Sequence, residues 1–438
     1  MKLKRITWAV ALILIAGIAL TACGGAGGQS GSGTVSISFW AAPNPPQQAF
    51  WASMAKTYMA QHKGVQISVR AMPETPTSEA AIQSALAGGT APTASENIFT
   101  GFGSQLVNDH AIVALDEMPG WNDVISARHM QQTIEGWKFS DGHHYVLPIY
   151  TNAILVAWRS DILKQIGYDK PPQTYSQIID MGKKLKQKFL NKFVWADSSL
   201  VDNTWWQRWF DFFTLYDAAS NGQSLINGNQ IAANDQAAIA TLGFLRDLQQ
   251  NKLLLTQTVT DPFETGVSVM SIIGPWQFTT WAQKYPQLKL NDTFVLTPPP
   301  VPDDYPAGQA VKTFADAKGV VIYKQASADQ QAAMWQFLKW VFSDPQHDLQ
   351  WMQTTNLPSA RDDLSTNPIF KSYLDQHPEL NAFAQNIPNA VPPIKVPKYT
   401  DIQVALGDDA LIPVVKGQAP PDQAWNKWKS AVQPMLAS

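Results

Sequence analysis

The sequence predicts an α/β protein of more than one domain, and three observations carry that expectation. Val35, Ile37 and Phe39 alternate with Ser36 and Ser38, helically spaced Phe50, Trp51, Met54, Tyr58 and Met59 follow, and Val65, Ile67 and Val69 alternate again. Strand–helix–strand is the opening of a doubly wound α/β domain. Val146, Leu147, Ile149 and then Ala153 to Trp158 form near-continuous apolar runs of strand length, as expected of strands buried on both faces. At 438 residues the chain exceeds one typical domain.

The stretch from Asp141 to Leu163 organises the rest. Asp141-Gly142 is a turn signal, because both residues tolerate the left-handed backbone of a tight turn. Tyr150, Thr151 and Asn152 interrupt the two apolar runs with polar groups. A polar interruption between buried strands is expected where a chain leaves one sheet, crosses a gap and enters another. Such gaps are also where ligands bind.

Composition narrows the partners. With 45% hydrophobic and 15% charged residues the chain has enough apolar side chains for large cores. A formal charge of −3 gives no basic field, so nucleic acid is not expected as a partner. Seventeen tryptophans exceed what one core needs, and some are expected in a cleft. Residues 1–23 read as a targeting segment: Lys2, Lys4 and Arg5 are basic, and Ile6 to Leu20 are largely apolar. The segment ends Leu20-Thr21-Ala22-Cys23, which resembles a bacterial lipobox, so Cys23 is the expected lipidated N-terminus of the mature chain. Cys23 is the only cysteine, which excludes a disulfide within the chain. Residues 24–33, rich in Gly and Ser, read as a flexible tether.

Further along, Ala80 to Leu86 is a short helix broken at Gly88-Gly89. Thr174 and Gln177 form a capping box ahead of a helix whose apolar face holds Ile178, Ile179, Leu185 and Phe189. Lys183, Lys184, Lys186 and Lys188 read as its solvated face. In Trp205-Trp206-Gln-Arg-Trp209, helical spacing stacks Trp205 and Trp209 one turn apart and displaces Trp206. One face is then core and another looks into a cleft. A helix through Leu215 stops at Asn221-Gly222, and Gln236 to Leu248 is a second amphipathic helix. Val267 to Ile273 is an apolar strand ending in Gly274-Pro275-Trp276. Pro298 to Pro302 reads as a rigid surface linker. Asp316 and Lys318 precede an apolar strand from Val320 to Tyr323. Met334, Trp335, Leu338, Val341 and Phe342 mark the next helix. No internal repeat is visible.

Four motifs carry a resemblance. Asp141-Gly-x-x-Tyr-x-x-Pro148 with its polar crossing, Met270-Ser-Ile-x-Gly-Pro-Trp276, Thr313 to Tyr323, and Leu357-Pro-Ser-Ala-Arg361 resemble the bacterial extracellular solute-binding proteins of family 1. These are the sugar-binding components of ABC importers, the group that includes the maltose-binding protein. The resemblance covers Val35 to about Ala410 and implies a type II periplasmic-binding-protein-like fold. Two α/β domains, joined by a three-crossing hinge, would hold a ligand cleft between them. Domain one would span 34–150 plus 318–358, and domain two 151–317 plus 359–438. The family pattern Ala-Gly-Gly-x-x-Pro-Asp-Val departs here, with Thr93 in place of the Asp. Glu96 and Asn97 are the candidate substitutes at that cleft edge.

The resemblance implies a monomeric receptor on the outer face of the cytoplasmic membrane, held by its lipid anchor. It would capture a sugar or oligosaccharide and deliver it to permease subunits. The candidate ligand-binding residues are Trp40, Asn44, Glu96 and Asn97 from domain one, Tyr150, Asn152, Asp316 and Arg361 from the crossings, and Trp205, Trp206 and Trp276 from domain two. An indole at a strand's end presents an apolar face to the C–H bonds of a pyranose ring. No cofactor, metal or catalytic residue is expected. The sequence holds no phosphate-binding lysine loop, no His-Glu-x-x-His and no Gly-x-Ser-x-Gly. Gly101-Phe-Gly103 lacks a third glycine, and His143-His144 reads as a solvent-facing turn. Asp362-Asp363 and Asp408-Asp409 are neighbours in sequence, and adjacent carboxylates rarely face one substrate. The alternatives are an exported glycan-degrading lipoprotein enzyme, and a receptor for a non-sugar solute such as a peptide or polyamine.

Overall fold

A computed structural model describes residues 33–436. The targeting segment, Cys23 and nearly all of the Gly/Ser tether lie outside the described residues. The opening alternation folds as read. Ile37, Phe39 and Ala41 are buried from one face of strand β1 (Val35–Ala41), and the serines take the other. The helix Pro45–Gln61 follows, with Asn44 as N-cap, and leads into β2 (Val65–Ala71). The remaining strands are β3 (Ala94–Ile98), β4 (Leu147–Ala153), β5 (Leu155–Trp158), β6 (Phe193–Ala196), β7 (Ile226–Asn227), β8 (Gln230–Ile231), β9 (Leu254–Leu255), β10 (Ser268–Ile273), β11 (Val295–Thr297), β12 (Thr313–Ile322) and β13 (Ala390–Val391).

They form two separate mixed sheets and a small hairpin. The first sheet has the order β13-β12-β3-β1-β2, with β4 also paired to β12. The second has the order β11-β5-β10-β6-β9, and β7 with β8 makes the hairpin. The chain leaves the first sheet at Ala153 and enters the second at Leu155. It returns between β11 and β12. A third segment lies along β4, where Ala360 N–H donates to the Ile149 carbonyl at 2.9 Å and Thr151 N–H to the Pro358 carbonyl at 3.3 Å. Three stretches distant in sequence therefore run side by side where the two sheets meet.

Two local readings change. Tyr150, Thr151 and Asn152 do not separate two strands but lie inside β4, and Asp316 and Lys318 lie inside β12. The polar residues stay in the ladder because the two strands pair them directly: Asp316 opposite Asn152, and Lys318 opposite Tyr150. The expected surface linker at Pro298 to Pro302 is pinned instead. Val301 bridges Thr174, and the Tyr175 N–H donates to the Val301 carbonyl at 3.1 Å. In the capping box, Gln177 Oε1 accepts from the Thr174 N–H at 3.4 Å, while the Thr174 hydroxyl also reaches Asp303 at 2.5 Å.

Most of the tryptophans are core. Trp51, Trp158, Trp195, Trp335, Trp351, Trp425 and Trp428 are fully buried. Phe50 sets its ring edge-on to Trp351 at 5.1 Å, tying the first helix to the helix Pro345–Thr355. Each buried ring contributes on the order of 2–3 kcal/mol by leaving water, and edge-to-face contacts add about 1 kcal/mol.

Candidate ligand cleft

A cavity of about 1060 Å³ opens where the two sheets meet. Its floor is set by strand pairing. On antiparallel neighbours, residues directly opposite share a face. Asn152 and Asp316 therefore lie side by side, as do Tyr150 and Lys318, one step along the same face. Asp316 Oδ2 accepts from the Tyr150 hydroxyl and from Asn152 Nδ2, both at 3.5 Å. Its Oδ1 has no hydrogen-bond donor among the described residues, and Lys318 Nζ lies 3.9 Å away. Burial pushes the Asp316 carboxyl above its ordinary range, with the Lys318 cation opposing. A buried acceptor at long hydrogen-bond distances is suited to a ligand hydroxyl, which must regain its bonds on leaving water.

One wall comes from loops after strands of the first sheet. Asn44 caps the first helix by accepting from the Gln47 N–H at 3.0 Å, and its amide also donates to Gln47 Oε1. Gln47 in turn donates to Glu96 Oε2 at 3.3 Å, and the Ala42 N–H donates to Glu96 Oε1. Glu96 thus fixes the side chain of Gln47, which lines the cleft. Asn97 lines it too, at φ +70°, a left-handed conformation that Asn tolerates better than most residues. Thr77, Ser78 and Glu79, at the N-terminus of the helix Ser78–Ala87, complete this wall.

The opposite wall is aromatic. Trp205 to Trp209 form a 3₁₀ helix rather than an α-helix, with about three residues per turn. Rings four apart splay in that geometry, so Trp205 and Trp209 meet edge-on, at 5.1 Å and 84°, instead of stacking. Both are nearly buried, at 7% and 4% exposure, whereas Trp206 is displaced as expected and 40% exposed. Phe99 reaches over from the first sheet to within 5.0 Å of Trp205 and 5.1 Å of Trp209. Lys318 Nζ lies 5.5 Å over the Trp209 ring.

Trp276 follows the stop in β10. Its ring lies back over Gly274, where a Cβ would sit 2.0 Å from Cζ3 and 2.1 Å from Cη2. Only glycine leaves room for that pose. Phe210 meets the indole edge-on at 5.6 Å, and Asn356 Nδ2 holds the Pro275 carbonyl at 2.8 Å. Gly274→Ala is therefore expected to swing the indole away from its platform position. Ligand affinity should fall about tenfold or more, equivalent to ~1.4 kcal/mol, with the fold intact. Calorimetric titration beside a thermal melt checks both; unchanged affinity would show that the pose of the ring does not matter.

Of the residues singled out from sequence, Asn44, Asn97, Tyr150, Trp205, Trp206, Trp276 and Asp316 line one cavity. Four do not. Trp40 is half-buried against the core, on the face of β1 opposite Ile37 and Phe39. Glu96 is fully buried behind Gln47, and Asn152 is fully buried against Asp316. Arg361 is buried in ion pairs with Asp348 and Asp363, at 2.9 and 2.8 Å. Glu96 and Asn152 hold lining side chains rather than line the cavity themselves. Gln47, Glu79, Phe99, Trp209, Phe210, Thr279, Thr280 and Lys318 line the cavity without having been singled out for it. Asn44-Pro-Pro-Gln47 carried a usable signal, the cap-and-third-residue spacing of a helix start.

Burial raises the Glu96 carboxyl to about 7 from its ordinary 4.5, opposed by its hydrogen bonds and by Lys318. Between those two values the folded chain holds a proton that the unfolded chain has released. Stability contributed by this group is therefore full below about pH 4.5, falls as pH rises to about 7 and is flat above. The span corresponds to roughly 3 kcal/mol. Glu96→Gln should flatten that slope and raise stability at pH 8. Urea unfolding of both proteins at pH 5 and 8 checks this, and parallel pH profiles would refute it.

Residues 53–378 match the family described as bacterial extracellular solute-binding protein, and the chain belongs to that family. Its fold is that of the type II, maltose-binding-protein-like receptors, two α/β domains around a cleft. An uncharacterized protein from Listeria monocytogenes EGD-e is 47% identical, with a TM-score of 0.82, over 92% of this chain and 100% of that one. The GacH receptor of Streptomyces glaucescens, solved unliganded and with acarbose, is 16% identical with a TM-score of 0.74, over 92% and 99%. The cyclic alpha-maltosyl-1,6-maltose binding protein from Arthrobacter globiformis is 17% identical with a TM-score of 0.76, again over 92% and 99%.

Proposed function

We propose that this exported solute-binding protein captures a sugar or oligosaccharide in the cleft and delivers it to the permease of an ABC importer. The carrying observation is the division of labour in the lining. Indole rings at Trp205, Trp206 and Trp276 face a floor and wall of Asn, Gln, Thr, Tyr and Asp. Rings suit the C–H faces of a pyranose, and the polar side suits its hydroxyls. The named ligands of the Streptomyces and Arthrobacter proteins support the same class. Asn44, Asn97, Tyr150, Asp316 and the three indoles are the proposed contacts, with Glu96, Asn152 and Arg361 behind them.

The proposed moving parts are 34–150 with 318–358 and 151–317 with 359–438, closing on the ligand as a monomer. Anchoring through lipidated Cys23 belongs to the same reading; a Cys23→Ala chain that is still processed and membrane-bound would overturn it. A binding role is favoured over a glycan-degrading enzyme by the placement of charge. Glu74, Glu79 and Asp316 come from the first-sheet side and the floor, whereas the described lining residues of the facing wall are Trp, Phe, Thr and Gln. Glycoside hydrolysis uses two carboxyl groups flanking the scissile bond. A peptide or polyamine is the alternative solute, and one screen separates them. Thermal melts with mono- and oligosaccharides, peptides and polyamines at 100 times Kd should show a stabilisation of about 2.7 kcal/mol for the true class. Stabilisation by a peptide or polyamine alone, or cleavage of an oligosaccharide, would refute the sugar receptor.

A further inference from the structure

A second cavity, of about 870 Å³, is separate from the ligand cleft. Phe314 lines it, while Asp316 and Lys318, from the same face of β12, line the cleft. Trp209 stacks on Phe314 at 5.4 Å and forms the wall between the two. The helix Phe212–Ala219 brings Asp217 to this second cavity and then stops at Asn221 and Gly222, both at positive φ. Asp217 is 3% exposed, and its Oδ2 has no hydrogen-bond partner among the described residues. A buried carboxyl without a partner is costly unless something else compensates it.

The surroundings indicate what compensates it. Phe213, Phe314, Ile226, Val391 and Ile394 give the cavity an apolar wall with two aromatic rings. Two cations lie on the lining, Lys138 and Lys395, and neither is ion-paired with Asp217. Lys395 Nζ donates instead to the Gly136 and Lys138 carbonyls, at 3.0 and 2.9 Å. The neighbouring phenols are neutral donors or acceptors: Tyr216 accepts from the Asn234 N–H at 2.9 Å, and Tyr399 accepts from Trp209 Nε1 at 2.6 Å. Among the described residues, Asp217 is the one carboxyl on a lining that also carries aromatic faces, the two lysines and neutral polar groups such as Asn108 and Gln223. A carboxylate beside aromatic faces holds an ammonium group by charge pairing and by cation–π attraction.

We propose that this cavity binds a small organic cation, a primary ammonium on an apolar body, with Asp217 as its counter-ion. Burial alone drives the Asp217 carboxyl well above the ordinary range, consistent with a site that ionises when a cation arrives. The site lies outside the sugar cleft, and its proposal does not rest on what fills that cleft.

The test uses the whole soluble chain and benzylammonium, with benzyl alcohol as its neutral isostere. Calorimetric titration should show benzylammonium binding at least tenfold tighter than benzyl alcohol. Asp217→Asn, similar in shape and without charge, should abolish that preference, while Trp276→Ala should retain it. If Asp217→Asn fails to fold, the ¹³C carboxyl resonance of Asp217 in the unaltered chain decides: it should shift with benzylammonium and not with benzyl alcohol. Equal affinity for amine and alcohol, an unaltered preference in Asp217→Asn, loss of binding in Trp276→Ala, or an Asp217 signal that does not move would each overturn the proposal.

Discussion

Trp276→Ala is expected to weaken binding of the proposed sugar by on the order of 2–4 kcal/mol, the scale of an aromatic hot spot, or about 30- to 1,000-fold in Kd. The indole is half-buried, lies over Gly274 and meets Phe210 edge-on. One face is fixed by the protein and the rest looks into the cleft. Such a ring is pre-organised, so binding orders little that was mobile. Its removal takes away apolar area that only the ligand covers. The melting temperature should move far less than for a fully buried indole such as Trp351, whose truncation costs about 3–5 kcal/mol. Titration and a melt on the same variant separate the outcomes. A large drop in melting temperature with unchanged affinity of the folded fraction would make Trp276 a core residue.

The fold was legible where one strand or helix carries its own signal. The alternation of Val35 to Phe39, the helical spacing after it and the Gly274-Pro275-Trp276 stop each act within a few residues. The site was legible where such a stop also ends at the cleft, as at Trp276 and Asn44. It was illegible where a contact joins distant stretches. Tyr150 and Lys318 share a face only because β4 pairs with β12 in one register. Nothing near Phe99 announces that its ring will meet Trp205 from the other wall. The displaced indole at Trp206 was foreseen from helical geometry, although the helix proved to be 3₁₀. Tighter winding changes which rings meet but still leaves adjacent side chains on different faces.

Arg361 shows the same limit from the opposite side. Its local sequence, Leu357-Pro-Ser-Ala-Arg361, suggested a donor to a ligand at the third crossing. Its guanidinium instead bonds Asp363 through Nε and Nη2, at 2.8 and 3.0 Å, and Asp348 through Nη1 at 2.9 Å. Three of its five N–H donors are spent on these carboxylates, and Arg361 is not among the described residues that line the cleft. The partner that completes the arrangement, Arg128, lies 220 positions from Asp348, and no local pattern links the two.

Asp348→Ala is accordingly expected to be the most destabilising of these changes. Asp348 is 2% exposed and stands between two buried guanidinium groups. Arg128 donates to it from Nε at 3.1 Å and from Nη2 at 2.8 Å, and Arg361 from Nη1 at 2.9 Å. Arg128 also donates to the carbonyls of Pro148 and Ile149, the latter at 2.7 Å, and so holds β4 next to the third crossing. The Ser359 hydroxyl donates to the Asp348 carbonyl at 3.1 Å, closing the same knot from the third crossing. Alanine removes the shared anion and leaves two cations facing each other out of water. Breaking a buried pair by deleting one partner costs about 3–5 kcal/mol, and here one deletion breaks two pairs. Urea unfolding should show a free energy of unfolding lowered by that amount, seen as a lower midpoint at an unchanged slope, with Asp348→Asn falling between the variant and the parent. Arg361→Ala should lose stability in the same assay, since Asp348 and Asp363 lose a cation, while sugar affinity of the folded fraction stays close to that of the parent. A stable Asp348→Ala protein, or an Arg361→Ala protein that keeps its stability and loses its ligand, would return Arg361 to the binding site and remove the network from the account of the fold.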